Sequence, residues 1–110
     1  MAESAWRVQT RRMGISEEIL EERDRQDEMF GPQWEMPLFA EPFMSAVYAH
    51  MAGMQKISNG DTANDYAGML LEEVYEALAE SDPQAMRAEL IQVLAVAMKM
   101  VEKIDREAGK

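Results

Sequence analysis

Residues Leu70 to Gln92 read LLEEVYEALAESDPQAMRAELIQ and carry the clearest helical pattern of the chain. Apolar residues recur every three or four positions in both halves of this stretch, which is typical of amphipathic helices. Ser81, Asp82 and Pro83 interrupt this pattern. Asp is a favourable N-cap and Pro suits the first position of a helix, so the interruption predicts one helix end followed closely by another helix start. The stretch therefore predicts two helices joined by a tight turn.

Acidic side chains lie at matching places on these two predicted helices. Glu73 and Glu76 are three residues apart on the first helix, and Glu89 and Gln92 repeat that spacing on the second. Residues three apart share one side of a helix. If the two helices pack antiparallel, three carboxylates and one amide converge. Oxygen ligands of this kind suit Mg²⁺ and Mn²⁺, so the spacing predicts a divalent cation site.

A helical wheel separates the candidate ligands from the other acids. Glu73 and Glu76 follow one edge of the apolar face, whereas Glu72 points roughly away from it. Glu89 flanks the apolar face of the second helix. Between Lys56 and Arg87 the chain has no basic residue and seven acidic ones. The alternative interpretation, that these acids only form a solvated face, stays open at this point.

The same residues resemble a known signature. Glu72-Glu73-x-x-Glu76, a spacer, and Glu89-x-x-Gln92 are similar to the E-E-x-x-E and E-x-x-D pattern of MazG-like nucleotide pyrophosphohydrolases, with Gln92 in place of the final Asp. The resemblance implies an all-α hydrolase that works as an oligomer. It also implies cleavage of nucleoside triphosphates, ribose or deoxyribose, to the monophosphate and pyrophosphate. Glu73 and Glu76 would then be catalytic, and Glu73, Glu76, Glu89 and Gln92 would hold Mg²⁺, or Mn²⁺.

Four basic residues are candidates for binding substrate phosphates. The segment from Glu22 to Gln33, which contains Arg23 and Arg25, resembles the first helix of small MazG-like proteins of phage and actinobacterial type. Lys99 and Lys103 continue along the Glu89 side of the last helix. The alternative for all four is a structural role, as partners of nearby carboxylates or of the helix dipole. Gln92 likewise leaves two alternatives to an enzyme: a nucleotide- or metal-binding relative without activity, and an acidic helical module that binds another protein.

Four helices are predicted in all, with no strand, and they make an all-α domain of the four-helix-bundle type. Residues 1–14 are expected to be a flexible arm and residues 15–108 the helical domain. The first helix is predicted from an N-cap at Ser16 to Phe30. The second runs from Pro42 to Ile57, the third follows a cap at Asp61 or Thr62, and the fourth runs from Pro83 to Ala108. The predicted core face of the second helix is Phe43, Val47, Met51 and Met54.

Composition limits the kinds of partner. The 110 residues suffice for one domain with a modest core, so a homodimer that completes the bundle is expected. The net charge of −10 disfavours binding to a nucleic-acid duplex, because phosphates repel an acidic surface. There is no cysteine, and no apolar run reaches the length of a membrane span. A cytoplasmic protein that does not bind membranes is expected.

Overall fold

The computed structural model describes residues 2–109, and its regular secondary structure is α-helical. The helices are α1 (Ala5–Phe30), α2 (Met44–Asn59), α3 (Tyr66–Ala79) and α4 (Pro83–Glu107). No strand occurs within the described range, and the predicted all-α class with bundle-like helix packing is confirmed. No helix in this range combines the length and the apolarity that crossing a membrane requires.

The chain divides into two compact units. The first unit consists of Met1–Pro37 and Val101–Lys110, and it therefore contains α1 and the last turns of α4. The second unit is Leu38–Met100, with α2, α3 and most of α4. The candidate ligands Glu73, Glu76 and Glu89 all belong to this second unit.

The first helix begins twelve residues earlier than predicted, so residues 5–14 of the expected arm are helical. Ser4 is the N-cap, and its Oγ accepts a hydrogen bond from the backbone N–H of Arg7. Glu3 forms ion pairs with Arg11 and Arg106, which hold the start of the helix. Ser16, the predicted N-cap, instead donates its hydroxyl to the carbonyl of Arg12 inside the helix. The predicted end at Phe30 is confirmed, with Gly31 at a φ of 72°.

The caps of the later helices are partly as predicted. Asp65 caps α3 by accepting a hydrogen bond from the N–H of Gly68, so the predicted cap at Asp61 or Thr62 is wrong. Pro83 is the first residue of α4, which confirms the prediction, and Asp82 accepts from the N–H of Ala85 at 2.8 Å. The two favourable signals at 82 and 83 coincide, whereas three possible caps compete before α3.

The second helix begins at Met44, two residues after the predicted start, and ends at Asn59. Its face toward α3 also differs from the prediction. Asn59 is buried, and its side chain donates to the carbonyl of Gly68 on α3. This contact turns the side of α2 that carries Gln55 and Asn59 toward α3.

The rotation of α2 leaves most of its predicted core face on the surface. Phe43, Val47 and Met54 are 61%, 40% and 59% exposed. Among the described residues, the buried apolar side chains are few: Ile15 in the first unit, and Ala77, Met86 and Val96 in the second. The sequence therefore places more apolar residues at predicted core positions than the described residues of one chain bury.

Candidate metal centre

Three carboxylates meet where α3 and α4 lie side by side. Glu73 and Glu76 come from successive turns of α3, and Glu89 comes from the second turn of α4. One carboxylate oxygen of each residue lies within 4.8 Å of the other two. The connection between α3 and α4 is only residues 80–82, so the end of α3 stays close to the start of α4. The structure thus gathers the three acids that the helical wheel selected.

Two oxygens in this acidic cluster (Glu73, Glu76 and Glu89) are buried without a partner. Oε2 of Glu73 and Oε2 of Glu89 are inaccessible to solvent and accept no hydrogen bond from any group within residues 2–109. Buried polar atoms are nearly always hydrogen-bonded, because desolvation is costly. These two atoms therefore lack the donor or cation that such a position normally requires.

The environment of the acidic cluster disfavours the charged form of its carboxylates. Burial raises the pKa of Glu73 above its usual value of 4.5, and the nearby carboxylates of Glu89 and Glu72 raise it further. The pKa of Glu76 is raised for the same reasons, first by burial and then by repulsion from Glu73 and Glu72. Positive charge placed among these groups would relieve both effects.

One basic side chain counteracts this repulsion. Nζ of Lys56, in the last turn of α2, lies 3.9 Å from Oε1 of Glu76 and partly offsets the rise in the pKa of that carboxyl. Lys56 is the only Lys or Arg in the sequence between Arg25 and Arg87. Its side chain is 68% exposed, so water screens the attraction strongly. Lys56 therefore compensates the acidic cluster only in part.

Glu72 differs from the acids of the cluster because it has a partner. Its Oε1 accepts a hydrogen bond of 3.3 Å from Nδ2 of Asn59, which also donates to the carbonyl of Gly68 at 3.0 Å. Gln55 donates to Oδ1 of Asn59 at 2.9 Å. This amide network (Gln55, Asn59, Gly68 and Glu72) joins the end of α2 to the start of α3. It supports the wheel-based choice of Glu73 over Glu72 as a candidate ligand.

Gly68 is the residue that allows the amide network to form. A Cβ at this position would lie 2.6 Å from Oδ1 of Asn59 and 2.9 Å from Oδ1 of Asp65. Both distances are shorter than a van der Waals contact, so only glycine fits without displacing these side chains. The network fixes α3 against α2 one turn before Glu73.

Sequence reasoning missed the roles of Asn59 and Lys56. Asn59 precedes Gly60, and the pair Asn-Gly is a strong turn signal that does not predict a buried side chain. Its burial depends on α3, which the local sequence does not reveal. The sequence does indicate a role for Lys56, because it is an isolated basic residue beside a long acidic stretch and can neutralise part of the negative charge.

The four predicted phosphate-binding cations are placed differently from Lys56. Arg23 pairs with Asp27 at 3.0 Å, Arg25 donates to Glu22 at 2.7 Å, and Lys103 pairs with Glu107. All three lie in the first unit. Lys99 lies in the second unit and is exposed on α4. Local ion pairing, the alternative interpretation, describes what the two arginines and Lys103 do in this structure, and their contact with a substrate stays a prediction.

Gln92 lies one turn beyond Glu89 on α4, and its side chain is exposed. Its amide oxygen can coordinate a cation, but it adds no negative charge to the three carboxylates. The donor set offered by Glu73, Glu76 and Glu89 consists of hard oxygens, two of them unpartnered. It fits Mg²⁺ or Mn²⁺ and does not resemble the nitrogen and sulfur ligands of a zinc site.

No family model, curated protein or solved structure matches this chain. The resemblance of Glu72, Glu73, Glu76, Glu89 and Gln92 to the MazG-like pattern therefore stays a prediction from the sequence.

Proposed function

We propose that the protein is a Mg²⁺- or Mn²⁺-dependent nucleoside triphosphate pyrophosphohydrolase. The observation that carries the proposal is the pair of buried, unpartnered oxygens on Glu73 and Glu89, which face a third carboxylate from Glu76 within 4.8 Å. A group of this kind in a folded protein calls for a cation. The sequence resemblance supplies the substrate class and the reaction.

In the proposed reaction, water adds across a phosphoanhydride bond of the triphosphate and releases the nucleoside monophosphate and pyrophosphate. Glu73, Glu76 and Glu89 would hold the divalent cation, which supplies charge neutralisation of the phosphates and activation of water. A carboxylate oxygen not used for the cation is available to orient the attacking water and to accept its proton. With cellular nucleotides as substrates, the proposed compartment is the cytoplasm.

The protein's own cations would balance the remaining phosphate charge. Lys56 and Lys99 belong to the same unit as the acidic cluster, and Lys56 already lies beside Glu76. A triphosphate brings more negative charge than the cluster can tolerate without added cations. Lys56 is therefore the basic residue that the geometry favours for contact with a phosphate, ahead of the cations predicted from sequence.

A second candidate function is nucleotide or metal binding without turnover. Gln92 favours it, because the neutral amide replaces an acid that would complete the pattern of four carboxylates. Fewer carboxylates weaken cation binding and reduce the acceptors that can position water. The two candidates share the acidic cluster and differ in catalysis alone.

The experiment that separates them measures pyrophosphate release from a panel of ribo- and deoxyribonucleoside triphosphates with Mg²⁺ or Mn²⁺. The proteins are the wild type, Glu76→Gln, Gln92→Asp and the control Glu72→Gln. We expect turnover in the wild type, its loss in Glu76→Gln by about 100-fold or more, and its retention in Glu72→Gln. Glu76→Gln keeps the size of the side chain, so the loss would report charge and coordination rather than a cavity.

Other outcomes have distinct meanings. Activity that appears only in Gln92→Asp would establish the binding candidate and reject the enzyme. Turnover that is equal in the wild type and Glu76→Gln would reject the acidic cluster as the site. Absence of turnover in all variants, without any effect of Mg²⁺ on the melting temperature, would reject both candidates.

A further inference from the structure

The end of α2 carries a chemically labile pair of residues, Asn59 and Gly60. An asparagine that precedes glycine loses its side-chain amide readily, because the backbone nitrogen of a residue without a Cβ reaches the side-chain carbonyl carbon unhindered. Asparagine is for this reason among the thermolabile residues of proteins. The chain has one other asparagine, Asn64, and it is followed by the bulkier Asp65. The pair at 59 and 60 is therefore the position at which deamidation is expected first.

Both residues of the labile pair have a structural role. Asn59 is buried, and it donates to the carbonyl of Gly68 and to the carboxylate of Glu72. Its oxygen accepts from Gln55. Gly60 has a φ of 71° and a ψ of −153°, a backbone conformation that is essentially restricted to glycine. Replacing either residue would break the amide network or strain the end of α2.

The folded chain holds the two reacting groups of this pair apart from each other's chemistry. The amide of Asn59 is fixed toward α3, and the backbone N–H of Gly60 donates to the carbonyls of Lys56 and Ile57 at 3.1 and 3.3 Å. Closing a five-membered ring requires the side chain and the backbone of Asn59 to rotate away from these positions. The reaction therefore proceeds from an opened form, at the rate of an unstructured chain multiplied by the open fraction.

We propose that Asn59 is a deamidation site gated by the amide network, and that its modification disconnects α2 from α3. The nitrogen of Gly60 forms a bond to Cγ of Asn59, and ammonia leaves with the proton that this nitrogen loses. Water then opens the cyclic imide and gives aspartate or isoaspartate. The net reaction exchanges ammonia for water and places a carboxylate where an amide was.

The carboxylate product cannot rebuild the amide network. The amide hydrogens of Asn59 bind two acceptors, the carbonyl of Gly68 and the carboxylate of Glu72. A carboxylate oxygen in their place has no hydrogen to donate, and its charge repels that of Glu72. Of the three side-chain hydrogen bonds, the one from Gln55 alone keeps a donor. A brief opening of the network is thereby converted into a permanent one.

The first test follows deamidation of the full chain at mildly alkaline pH, by peptide mapping and mass spectrometry. We expect Asn59 to react at least tenfold more slowly in the native wild type than in the chain unfolded in urea. Gly68→Ala should raise the native rate several-fold, because a Cβ there would lie 2.6 Å from Oδ1 of Asn59 and displace it. Gly14→Ala adds a Cβ with no atom within 4 Å and should leave the rate unchanged.

A further variant, Val96→Ala, separates local opening from a general loss of stability. Val96 is buried on α4 and takes no part in the amide network, so its truncation destabilises the second unit through a cavity. Each protein is incubated equally far below its own melting temperature. We expect Asn59 to react several-fold faster in Gly68→Ala than in Val96→Ala. Asn64 is exposed and is the internal reference, with similar rates in all native proteins.

The second test measures what the modification does to the fold. Asn59→Asp installs the aspartate product directly, and Asn64→Asp adds the same charge at an exposed position nearby. We expect the melting temperature to fall by about 5 °C or more in Asn59→Asp and to change little in Asn64→Asp. Deamidated wild type, separated by ion exchange, should show a loss similar to that of Asn59→Asp.

Four results would overturn the proposal. Equal rates at Asn59 in the native and the unfolded wild type would show that the fold does not gate the reaction. A rate in Gly68→Ala no higher than in Val96→Ala would assign the gate to global unfolding. An unfolded chain that does not deamidate at Asn59 would reject the site. Asn59→Asp as stable as Asn64→Asp would reject the effect on the network. None of these results depends on a metal ion or on nucleotide hydrolysis.

Discussion

The amide network and the acidic cluster are neighbours on α3, yet their buried polar atoms differ in whether they have hydrogen-bond partners. In the amide network, Asn59 uses its amide hydrogens on Gly68 and Glu72, and its oxygen accepts from Gln55. In the acidic cluster, Glu73 and Glu89 each bury an oxygen without a donor among the described residues. The first group is complete within the chain, and the second is not.

This difference separates a structural role from a functional one. Natural proteins satisfy buried polar atoms because an unsatisfied one costs about 1–3 kcal/mol. The Glu72 carboxylate has a hydrogen-bond donor, whereas the buried oxygens of Glu73 and Glu89 nearby have none. This arrangement destabilises the fold, so we infer that it serves a function. A divalent cation is the partner that we propose for the three converging carboxylates.

The largest effect is expected from Gly68→Ala, which breaks the amide network. The added Cβ would lie 2.6 Å from Oδ1 of Asn59, so Asn59 must move and release its hydrogen bonds. We expect the free energy of unfolding to fall by about 1–3 kcal/mol, despite the better helix propensity of Ala. Chemical denaturation followed by circular dichroism measures it.

Gly14→Ala is the matched control for this substitution. Gly14 is also inside a helix, but a Cβ there would have no atom within 4 Å. It should stabilise the protein by up to about 1 kcal/mol, through propensity alone. If Gly68→Ala were as stable as Gly14→Ala, the amide network would not hold α3 in place.

A smaller effect is expected from pH, and it belongs to the acidic cluster. The pKa values of Glu73 and Glu76 are raised in the folded protein above the usual 4.5. Between the usual value and the raised values, the folded state binds more protons than the unfolded state. The contribution of these residues to stability therefore increases as the pH falls from neutral toward 4.5, and it does not increase further below that. Thermal melts in EDTA should show the rise.

Glu73→Gln should flatten this pH dependence and raise the melting temperature at neutral pH, because the amide carries no charge. Glu72→Gln is the control, because the Glu72 carboxylate has Asn59 as a donor. Its charge contributes less than burial to the raised pKa values of Glu73 and Glu76, so we expect most of the slope to remain. Mg²⁺ should remove the slope from the wild type by favouring the charged carboxylates. A slope that persisted unchanged in Glu73→Gln would assign the effect to other acids.

The smallest effect is expected from Lys56→Gln. The ion pair with Glu76 spans 3.9 Å and is largely exposed, so its loss should change stability by less than about 1 kcal/mol. Removing this cation should nevertheless tighten Mn²⁺ binding a few-fold, because Lys56 competes for the same negative charge. It should also raise the KM for a nucleoside triphosphate. Calorimetric titration and initial rates measure the two opposite changes.

Lys99→Gln is the comparison for Lys56→Gln, since it removes an exposed charge from α4 in the same unit. We expect Lys99→Gln to tighten Mn²⁺ binding less than Lys56→Gln does. If both substitutions weakened Mn²⁺ binding, or if neither changed it, Lys56 would be an ordinary surface residue.

The fold could be predicted where local signals are unambiguous. Pro83 after Asp82 fixed the start of α4, and Gly31 fixed the end of α1. The start of α1 could not be chosen correctly, because Ser4 and Ser16 are both plausible caps. The choice depends on Glu3, which pairs with Arg106 more than a hundred residues away. A contact so distant in sequence leaves no local pattern.

The candidate site could be predicted because its spacing is helical. Glu73, Glu76 and Glu89 lie beside the apolar faces of two helices whose connection is short, so their convergence follows from the sequence. The side of α2 that packs against α3 could not be predicted, because hydrophobicity favours burial of Val47 and Met54 over burial of Gln55 and Asn59. The buried amide network decided the rotation of α2.

Mn²⁺ binding is the best test of whether Glu73, Glu76 and Glu89 form a divalent cation site. Electron paramagnetic resonance would follow free Mn²⁺ during titration of the wild type, Glu73→Gln and Glu72→Gln, without nucleotide. We predict saturable binding to the wild type, at least tenfold weaker binding to Glu73→Gln, and nearly unchanged binding to Glu72→Gln. Equal binding by all three proteins, or no saturable binding by the wild type, would contradict the claim.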